Sequence, residues 1–232
     1  MTDKPQTLRI DIWSDIICPF CWIGKRQFEI ALKDFAGRDQ VEVHYHAFRL
    51  SPDQPVTPVK DMLQLKYRMT PEQVAQNQAR VVQMAASVGL DYHLESTLNG
   101  DTLKAHRLIK LAEDHGLAAE MIERLYRANF TEEQSLFDDA VLVTLAAGVG
   151  LEAEAVTAFL KTDRYADTVR EEQEFITSKG AQGVPFFVLN NRYALSGAQP
   201  PEAFTQALNS AWKDIAPQTA EGEACGPDGC AI

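Results

Sequence analysis

Two cysteines separated by two residues are the clearest chemical feature of this sequence. Cys18 and Cys21 flank Pro19 and Phe20 in the motif CPFC. Thiols at this spacing can close a small disulfide ring, so the pair can be oxidised and reduced in place. We expect Cys18 to attack a disulfide and Cys21 to resolve the mixed disulfide that results. The same spacing is also half of a zinc site, but such a site needs two further ligands.

The other two cysteines form a second local pair, Cys225 and Cys230. The intervening residues 226–229 have Pro and Gly at positions that favour a β-turn, which would bring the two thiols together. We predict a second redox pair that exchanges electrons with the first. A static disulfide, two idle thiols or a zinc site shared with the first pair are the alternatives. The predicted set of sites contains no metal.

The elements around the first motif predict a strand–helix–strand unit. Residues 8–13 alternate between apolar and polar, as a half-buried strand does, and residues 41–48 repeat the pattern. An amphipathic helical run lies between them, ended by Gly37. Cys18 therefore falls where a strand ends and a helix begins. Unpaired backbone N–H groups and the helix dipole at that position favour the thiolate form of a cysteine.

The middle of the chain has a helical pattern. Residues 51–58 contain three prolines and are interpreted as a linker. Thr70 and Gln73 then form a predicted capping box, with Pro71 at the first helical position. Further helices are expected at residues 101–116, 121–128, 139–147, 152–160 and 164–178.

After residue 180 the sequence returns to a strand pattern. Residues 185–189 and 192–196 are predicted strands joined by Asn190 and Asn191, which suit a tight hairpin turn. Residues 200–212 follow as a helix. We therefore predict an α/β fold divided into residues 1–56 (βαβ with the CxxC motif), 57–178 (all helical), 179–216 (ββα) and 217–232 (a flexible tail with the CX4C pair).

Composition restricts the possible partners. The chain has 232 residues and a formal net charge of −11, which disfavours nucleic acid and anionic membrane surfaces. No apolar run approaches the ~20 residues of a membrane span, and the N-terminus lacks a secretory pattern. Cysteines confined to two local pairs are not typical of a secreted scaffold. We expect a cytoplasmic protein.

Four residues near the first motif carry weaker expectations. Asp15 suits either proton transfer or loop capping. Lys25 and Arg26 are expected to be solvated, with a positive potential near Cys18 as the alternative, and Trp22 is expected to serve packing.

Two segments resemble a known family. SDIICPFCWIGKRQFE and GVPFFVLNNRYALSGAQP are similar to the DsbA-like branch of the thioredoxin superfamily, and most of all to its FrnE group of cytoplasmic dithiol oxidoreductases. The resemblance covers residues 8–212. It implies a thioredoxin-like fold interrupted by a long all-helical insertion domain, with Cys18 as the nucleophile and Cys21 as the resolving thiol. It also implies a cis-proline loop at Val184–Pro185, beside the redox pair, that binds substrate.

The resemblance further implies how such a protein works. We expect disulfide-bonded proteins or small thiols as substrates, with the activity of a protein disulfide oxidoreductase or isomerase. No bound cofactor is expected, because the dithiol would be recycled by cellular thiols such as glutathione or the thioredoxin system. The C-terminal CX4C pair of Cys225 and Cys230 resembles one found in the FrnE group.

One difference from periplasmic DsbA proteins concerns the dipeptide between the cysteines. Those proteins have Pro-His, whereas this chain has Pro19-Phe20. Phe20 offers no imidazole to stabilise the Cys18 thiolate, which predicts a less oxidising couple.

Glutathione-dependent isomerases of the 2-hydroxychromene-2-carboxylate isomerase type are a second functional class that resembles the same family. They carry serine where Cys18 stands and usually lack the second cysteine, so both thiols count against that function. A redox-sensing or zinc-binding module is the non-enzymatic alternative.

Overall fold

A computed structural model of the protein describes residues 7–215, in which a small mixed sheet is combined with a large set of helices. The strands are β1 (Leu8–Ser14), β2 (Val41–Ala47), β3 (Thr57–Pro58), β4 (Leu98–Asn99), β5 (Phe186–Leu189) and β6 (Tyr193–Ser196). The helices are α1 (Pro19–Lys33), α2 (Val59–Tyr67), α3 (Pro71–Ser87), α4 (Leu103–Glu113), α5 (Ala118–Phe130), α6 (Asp139–Gly148), α7 (Ala153–Leu160), α8 (Ala166–Ser178) and α9 (Pro201–Ile215).

The main sheet joins the first and last parts of the described chain. Its strand order is β2-β1-β5-β6, in which β1 and β2 are parallel and the other neighbours are antiparallel. The parallel pair requires a crossover connection, which α1 supplies. Ile12 of β1 pairs with Phe187 of β5, so a strand before the CPFC motif lies beside a strand that follows it by more than 160 residues.

The two faces of this sheet pack against different elements. Ile10, Ile12 and Phe187 pack with Phe28 of α1 and Phe204 of α9 in one apolar cluster. Because successive residues of a strand point to opposite faces, Trp13 lies on the other face. There Trp13 packs with Phe48, which directly follows β2, and with Ile176 of α8.

The helices between β3 and α8 have their own core, and this core reaches the CPFC motif. The cluster includes Cys18, Cys21 and Trp22 together with Leu108 of α4 and Leu125 of α5. The start of α1 is thus the place where the helical segment meets the main sheet.

The hairpin and the capping box are found where the sequence predicts them. Asn190 and Asn191 both have positive φ, 51° and 53°, as a tight hairpin turn between β5 and β6 requires. Thr70 and Gln73 exchange the two hydrogen bonds of a capping box at the start of α3.

The segment at residues 57–99 differs from its sequence pattern. Thr57 and Pro58 were expected to belong to a linker, but they pair with Leu98 and Asn99 as a two-residue antiparallel ladder. The helix α2 follows Pro58 directly. Strands of two residues are too short to produce a recognisable alternation, so the pairing is visible only in the structure.

Candidate active site

Cys18 occupies the N-cap position of α1. Its backbone is extended, with φ of −89° and ψ of 112°, and Pro19 takes the first helical position with the fixed φ that suits it. The Cys18 amide donates to Asp15 O at 3.1 Å, and the Cys21 amide donates to Cys18 O at 3.0 Å. No side chain caps this helix terminus. The sulfur of Cys18 therefore lies at the positive end of the helix dipole.

Both thiols are free and almost fully buried. Cys18 is 4% exposed and Cys21 is 2% exposed. Burial, reinforced by the hydrogen bond and charge of Cys18, raises the pKa of the Cys21 thiol well above its ordinary value. At neutral pH Cys21 is consequently held as the protonated thiol, which suits a group that reacts second.

The loop before β5 lies against Cys18. The Val184–Pro185 peptide bond is cis, and the Cys18 thiol donates a hydrogen bond to Val184 O at 3.6 Å. Pro185 O accepts from the Gly197 amide at 2.8 Å, which ties this loop to the end of β6. A Cβ atom on Gly24 would lie 3.0 Å from Pro185 Cγ. Glycine at position 24 therefore permits the close approach of α1 and this loop.

An aromatic cluster supports the motif from the other side. Trp22 stacks on Tyr92 and Tyr126, with ring centroids 5.6 and 5.8 Å apart, and Tyr92 stacks on Phe130 at 4.8 Å. The Tyr92 hydroxyl donates to Pro19 O at 2.8 Å. The first turn of α1 is thus fixed by packing and by one hydrogen bond from the helical segment, in agreement with the packing role expected of Trp22.

Lys25 and Arg26 are not the solvated residues that the sequence suggests. Lys25 is 7% exposed and donates to Glu123 Oε2 at 3.0 Å, while Arg26 also pairs with Glu123. Trp22 Nε1 donates to the same carboxylate at 3.1 Å. Burial alone would raise the pKa of Glu123, but these two cations hold it below its ordinary value. Because Glu123 belongs to α5, which is distant in sequence, these ion pairs cannot be predicted from the residues near Lys25.

Asp15 is a fully buried carboxylate just before the motif. Its Oδ2 accepts from the Leu50 amide at 2.7 Å, and its Oδ1 lies 3.3 Å from His106 Nε2. The backbone contact matches the loop-capping role, and the histidine adds a partner that sequence analysis missed. His106 lies within the apolar pattern of α4, and nothing in its sequence surroundings distinguishes it.

A cavity of about 360 Å³ opens beside Cys18. Cys18, Pro19 and Phe20 line it together with residues of α2 and α3. The candidate nucleophile is therefore part of the cavity wall.

The model of the DSBA-like thioredoxin domain matches residues 9–209 of this chain. The match includes the CPFC motif, the helical segment and the cis-proline loop. This chain belongs to the DSBA-like thioredoxin domain family. It is thereby placed among thiol–disulfide oxidoreductases with a thioredoxin-like fold.

Three relatives illustrate this membership. The crystal structure of a probable DsbA oxidoreductase from Streptomyces coelicolor is 45% identical, with a TM-score of 0.87 over 97% of this chain and 99% of that one. The uncharacterized protein YwbO of Bacillus subtilis is 28% identical over 90% of this chain and 99% of its own length. The cytosolic disulfide reductase DsbM of Pseudomonas aeruginosa, solved with GSH, is 23% identical, with a TM-score of 0.60 over 88% of this chain and 98% of that one. At that identity DsbM is evidence of the shared fold alone.

In this DsbA-like chain the structure brings together Cys18, Cys21, Val184 and Pro185, as described above. Cys225 and Cys230 lie outside the described residues, so the second redox pair stays a prediction. Within residues 7–215 no cluster of three or more His, Cys, Asp or Glu side chains could hold a metal ion. None of the helices in that range is long and apolar enough to cross a membrane.

Proposed function

We propose that this DsbA-like protein reduces or isomerises disulfides through a Cys18–Cys21 dithiol. The observation that carries the proposal is the pair of free thiols at the start of α1, with the Cys18 sulfur 3.6 Å from Val184 O. In this role Cys18 attacks the substrate disulfide, and Cys21 then attacks the mixed disulfide and releases the reduced substrate.

Different environments of the two thiols support this division of roles. Cys18 lies at a helix N-terminus and on the wall of a cavity, where a substrate sulfur can reach it. Cys21 is held protonated by burial, with its pKa raised. It becomes the nucleophile after Cys18 has formed the mixed disulfide, because the hydrogen bond with the Cys18 thiol, one cause of the raised pKa of Cys21, is then lost.

The cis-proline loop is proposed to bind the substrate beside Cys18. Val184 O already accepts a hydrogen bond from the Cys18 thiol. A substrate sulfur that approaches Cys18 meets this loop at the same time, so residues 184–185 can hold an extended substrate during exchange.

Reduction or isomerisation, rather than oxidation, is the proposed direction. Phe20 gives the Cys18 thiolate no imidazole partner, which disfavours a strongly oxidising couple. The protein is proposed to act in the cytoplasm, in line with its resemblance to the FrnE group. No bound cofactor is proposed, since cellular thiols would return the pair to the dithiol. Glutathione, with which DsbM was solved, and the thioredoxin system are the proposed electron donors.

Cys225 and Cys230 are proposed to form a second redox pair that exchanges with Cys18–Cys21. Replacing both with serine tests this part of the proposal. Slower turnover, or slower recharging of the first pair, is expected. Unchanged turnover, substrate range and recharging kinetics would exclude a catalytic role for Cys225 and Cys230.

The main test compares Cys18→Ser with Cys21→Ser in an insulin reduction assay. Cys18→Ser is expected to abolish turnover. Cys21→Ser is expected to accumulate mixed disulfides that mass spectrometry can detect. Turnover by Cys18→Ser at the wild-type rate would exclude the proposed mechanism. Failure of the wild type to reduce any disulfide would exclude the function itself.

The glutathione-dependent isomerase function receives no support from the residues at the site. Enzymes of that type carry a serine at the position of Cys18, where this chain has a buried cysteine close to a second thiol. The zinc-binding alternative would need two further ligands for this pair. The proposed oxidoreductase function uses both thiols as they are arranged.

A further inference from the structure

The cavity beside Cys18 is formed jointly by the start of α1 and by the helical segment. Val59, Met62 and Leu63 of α2 line it together with Cys18 and Phe20. Further apolar or aromatic residues complete the lining, namely Ile17, Leu50, Tyr67, Met69, Val81, Leu94, Leu98 and Phe130. A volume of about 360 Å³ and a largely apolar lining are typical of a binding site for a compact organic group.

Among residues 7–215, no charged side chain lines this cavity. Its polar lining residues are Asn77, Gln78, Thr97 and Asn99. Three of these four already form hydrogen bonds within the protein: Gln78 and Thr97 donate to Leu94 O, and Asn99 accepts from Ser51. A charged ligand would find no counter-ion there, and burying an unpaired charge is costly.

The helix α2 presents apolar side chains that the described residues leave partly uncovered. Val59, Met62 and Leu63 share one helical face by their spacing, and no residue of α2 is fully buried. Two of the lining residues are well exposed, Phe20 at 39% and Tyr67 at 58%. Because these exposed aromatic residues and Cys18 line the same cavity, they indicate a ligand that arrives attached to the reacting sulfur.

We propose that this cavity selects disulfides that carry a bulky, uncharged aromatic or aliphatic group close to the sulfur attacked by Cys18. This inference rests on the proposed function. Since Cys18 is part of the wall, a group bonded to the sulfur that joins it enters the cavity as the bond forms. Oxidised glutathione, with its carboxylates and ammonium groups, is expected to react more slowly than such a disulfide.

The chemical step balances without another reactant. The Cys18 thiol loses its proton and attacks the disulfide R–S–S–R, which forms Cys18–S–S–R and releases one thiolate, and this thiolate takes up the proton. Cys21 then loses its proton and attacks the Cys18 sulfur, which closes the protein disulfide and releases the second R–SH. The protein gives up two electrons and two protons, and the substrate gains both.

The experiment measures single-turnover oxidation of the reduced full-length protein by three symmetric disulfides. They carry 2-phenylethyl groups, 2-hydroxyethyl groups or, in oxidised glutathione, charged groups. Each rate constant is divided by that of dithiothreitol with the same disulfide, which corrects for intrinsic reactivity. The phenylethyl compound is expected to exceed the other two by about tenfold or more, the scale of discrimination that a hydrophobic pocket supplies.

A matched pair of variants assigns the preference to the cavity. Leu63→Gln places an uncharged polar group in the cavity wall. Leu65→Gln makes the same change on the same helix at a residue that is 82% exposed and does not line the cavity. Leu63→Gln is expected to lower the ratio of the phenylethyl rate to the hydroxyethyl rate. Leu65→Gln is expected to leave this ratio unchanged.

Two peptide disulfides with either Phe or Lys beside the cysteine identify the source of the apolar group. Preference for the Phe peptide indicates a polypeptide side chain, and preference confined to the small disulfide indicates a free organic thiol. Equal normalised rates for every disulfide, or equal effects of the two glutamine variants, would overturn the inference. Absence of reaction with all of the disulfides, hydroxyethyl disulfide included, would instead refute the proposed function.

Discussion

The Cys18 thiol donates a hydrogen bond to the carbonyl oxygen of Val184 at 3.6 Å, across 166 residues of sequence. This contact joins the start of α1 to the loop that precedes β5. It places a backbone acceptor beside the proposed nucleophile, in a position that an incoming substrate must share. The two thiols, their surroundings and a charged cluster at His46 lead to four predictions.

In growing cells the Cys18–Cys21 pair is expected to rest mainly as the dithiol. The glutathione poise of the cytosol lies at about −220 to −320 mV, depending on the method. A couple less negative than this is held reduced. Acid-quenched alkylation of intact cells, followed by mass spectrometry, measures the two states. A predominantly oxidised pair would contradict the proposed direction of the reaction.

Cys21 is expected to resist alkylation at pH values where an ordinary thiol reacts. Burial is the largest cause of its raised pKa and persists in a Cys18→Ala variant. A raised pKa means that the thiol stays protonated through and above the usual range near ~8.5. The iodoacetamide rate of Cys21 in folded Cys18→Ala, followed by peptide mass spectrometry from pH 7 to 10, should therefore rise at higher pH than that of a cysteine-containing peptide. Coincident pH profiles would refute this.

Gly24→Val is expected to slow disulfide exchange and to destabilise the protein by about 1–3 kcal/mol, the usual cost of overpacking. The new Cβ would lie 3.0 Å from Pro185 Cγ and 3.4 Å from Ala198 Cα, so the branched side chain displaces the loop from α1. Gly183→Ala is the matched control in the same loop, because its Cβ would meet nothing within 4 Å. Urea unfolding and insulin reduction measure both effects. Equal effects of the two variants would show that the contact with Gly24 is unimportant.

His46→Gln is expected to destabilise the protein at pH 7 by about 1.5–3 kcal/mol, the usual worth of a hydrogen bond to a charged group. His46 Nε2 lies 2.7 Å from Asp11 Oδ1, and its Nδ1 lies 3.1 Å from Glu172 Oε1. Burial works to raise the pKa of both carboxyl groups, but Arg9 and His46 at Asp11, and His46 and Lys110 at Glu172, lower them overall.

The pH dependence of this effect has a definite sign. Carboxyl groups with lowered pKa values stabilise the fold fully above their unfolded values of about 3.9 and 4.3, and this stabilisation is lost as the pH falls through the folded values. The difference between wild type and His46→Gln should therefore shrink as the pH is lowered from 7 toward 3. His44→Gln is the control. The His44 side chain is more exposed, and its distance to the Glu42 carboxylate, 3.8 Å, is longer than the two distances from His46. A difference that is independent of pH would contradict the assignment.

Local patterns in the sequence determined much of the scaffold. Alternation in residues 8–13 and 41–48 predicted the parallel strands, and Asn190–Asn191 predicted the hairpin turn. The spacing of Cys18 and Cys21, directly after a strand pattern, placed the thiols at the start of a helix. These features depend on neighbouring residues and on the backbone conformations that they favour. They can therefore be predicted from a single sequence.

Only the tertiary structure decided what surrounds the thiols. Val184 reaches Cys18 through the pairing of β1 with β5, and Glu123 of α5 converts Lys25 from an expected solvated residue into a buried ion pair. The cavity at Cys18 depends on α2, whose packing no local pattern predicted. Such contacts join residues that are far apart in the chain, and their geometry is set by how whole elements pack rather than by the preferences of any one segment.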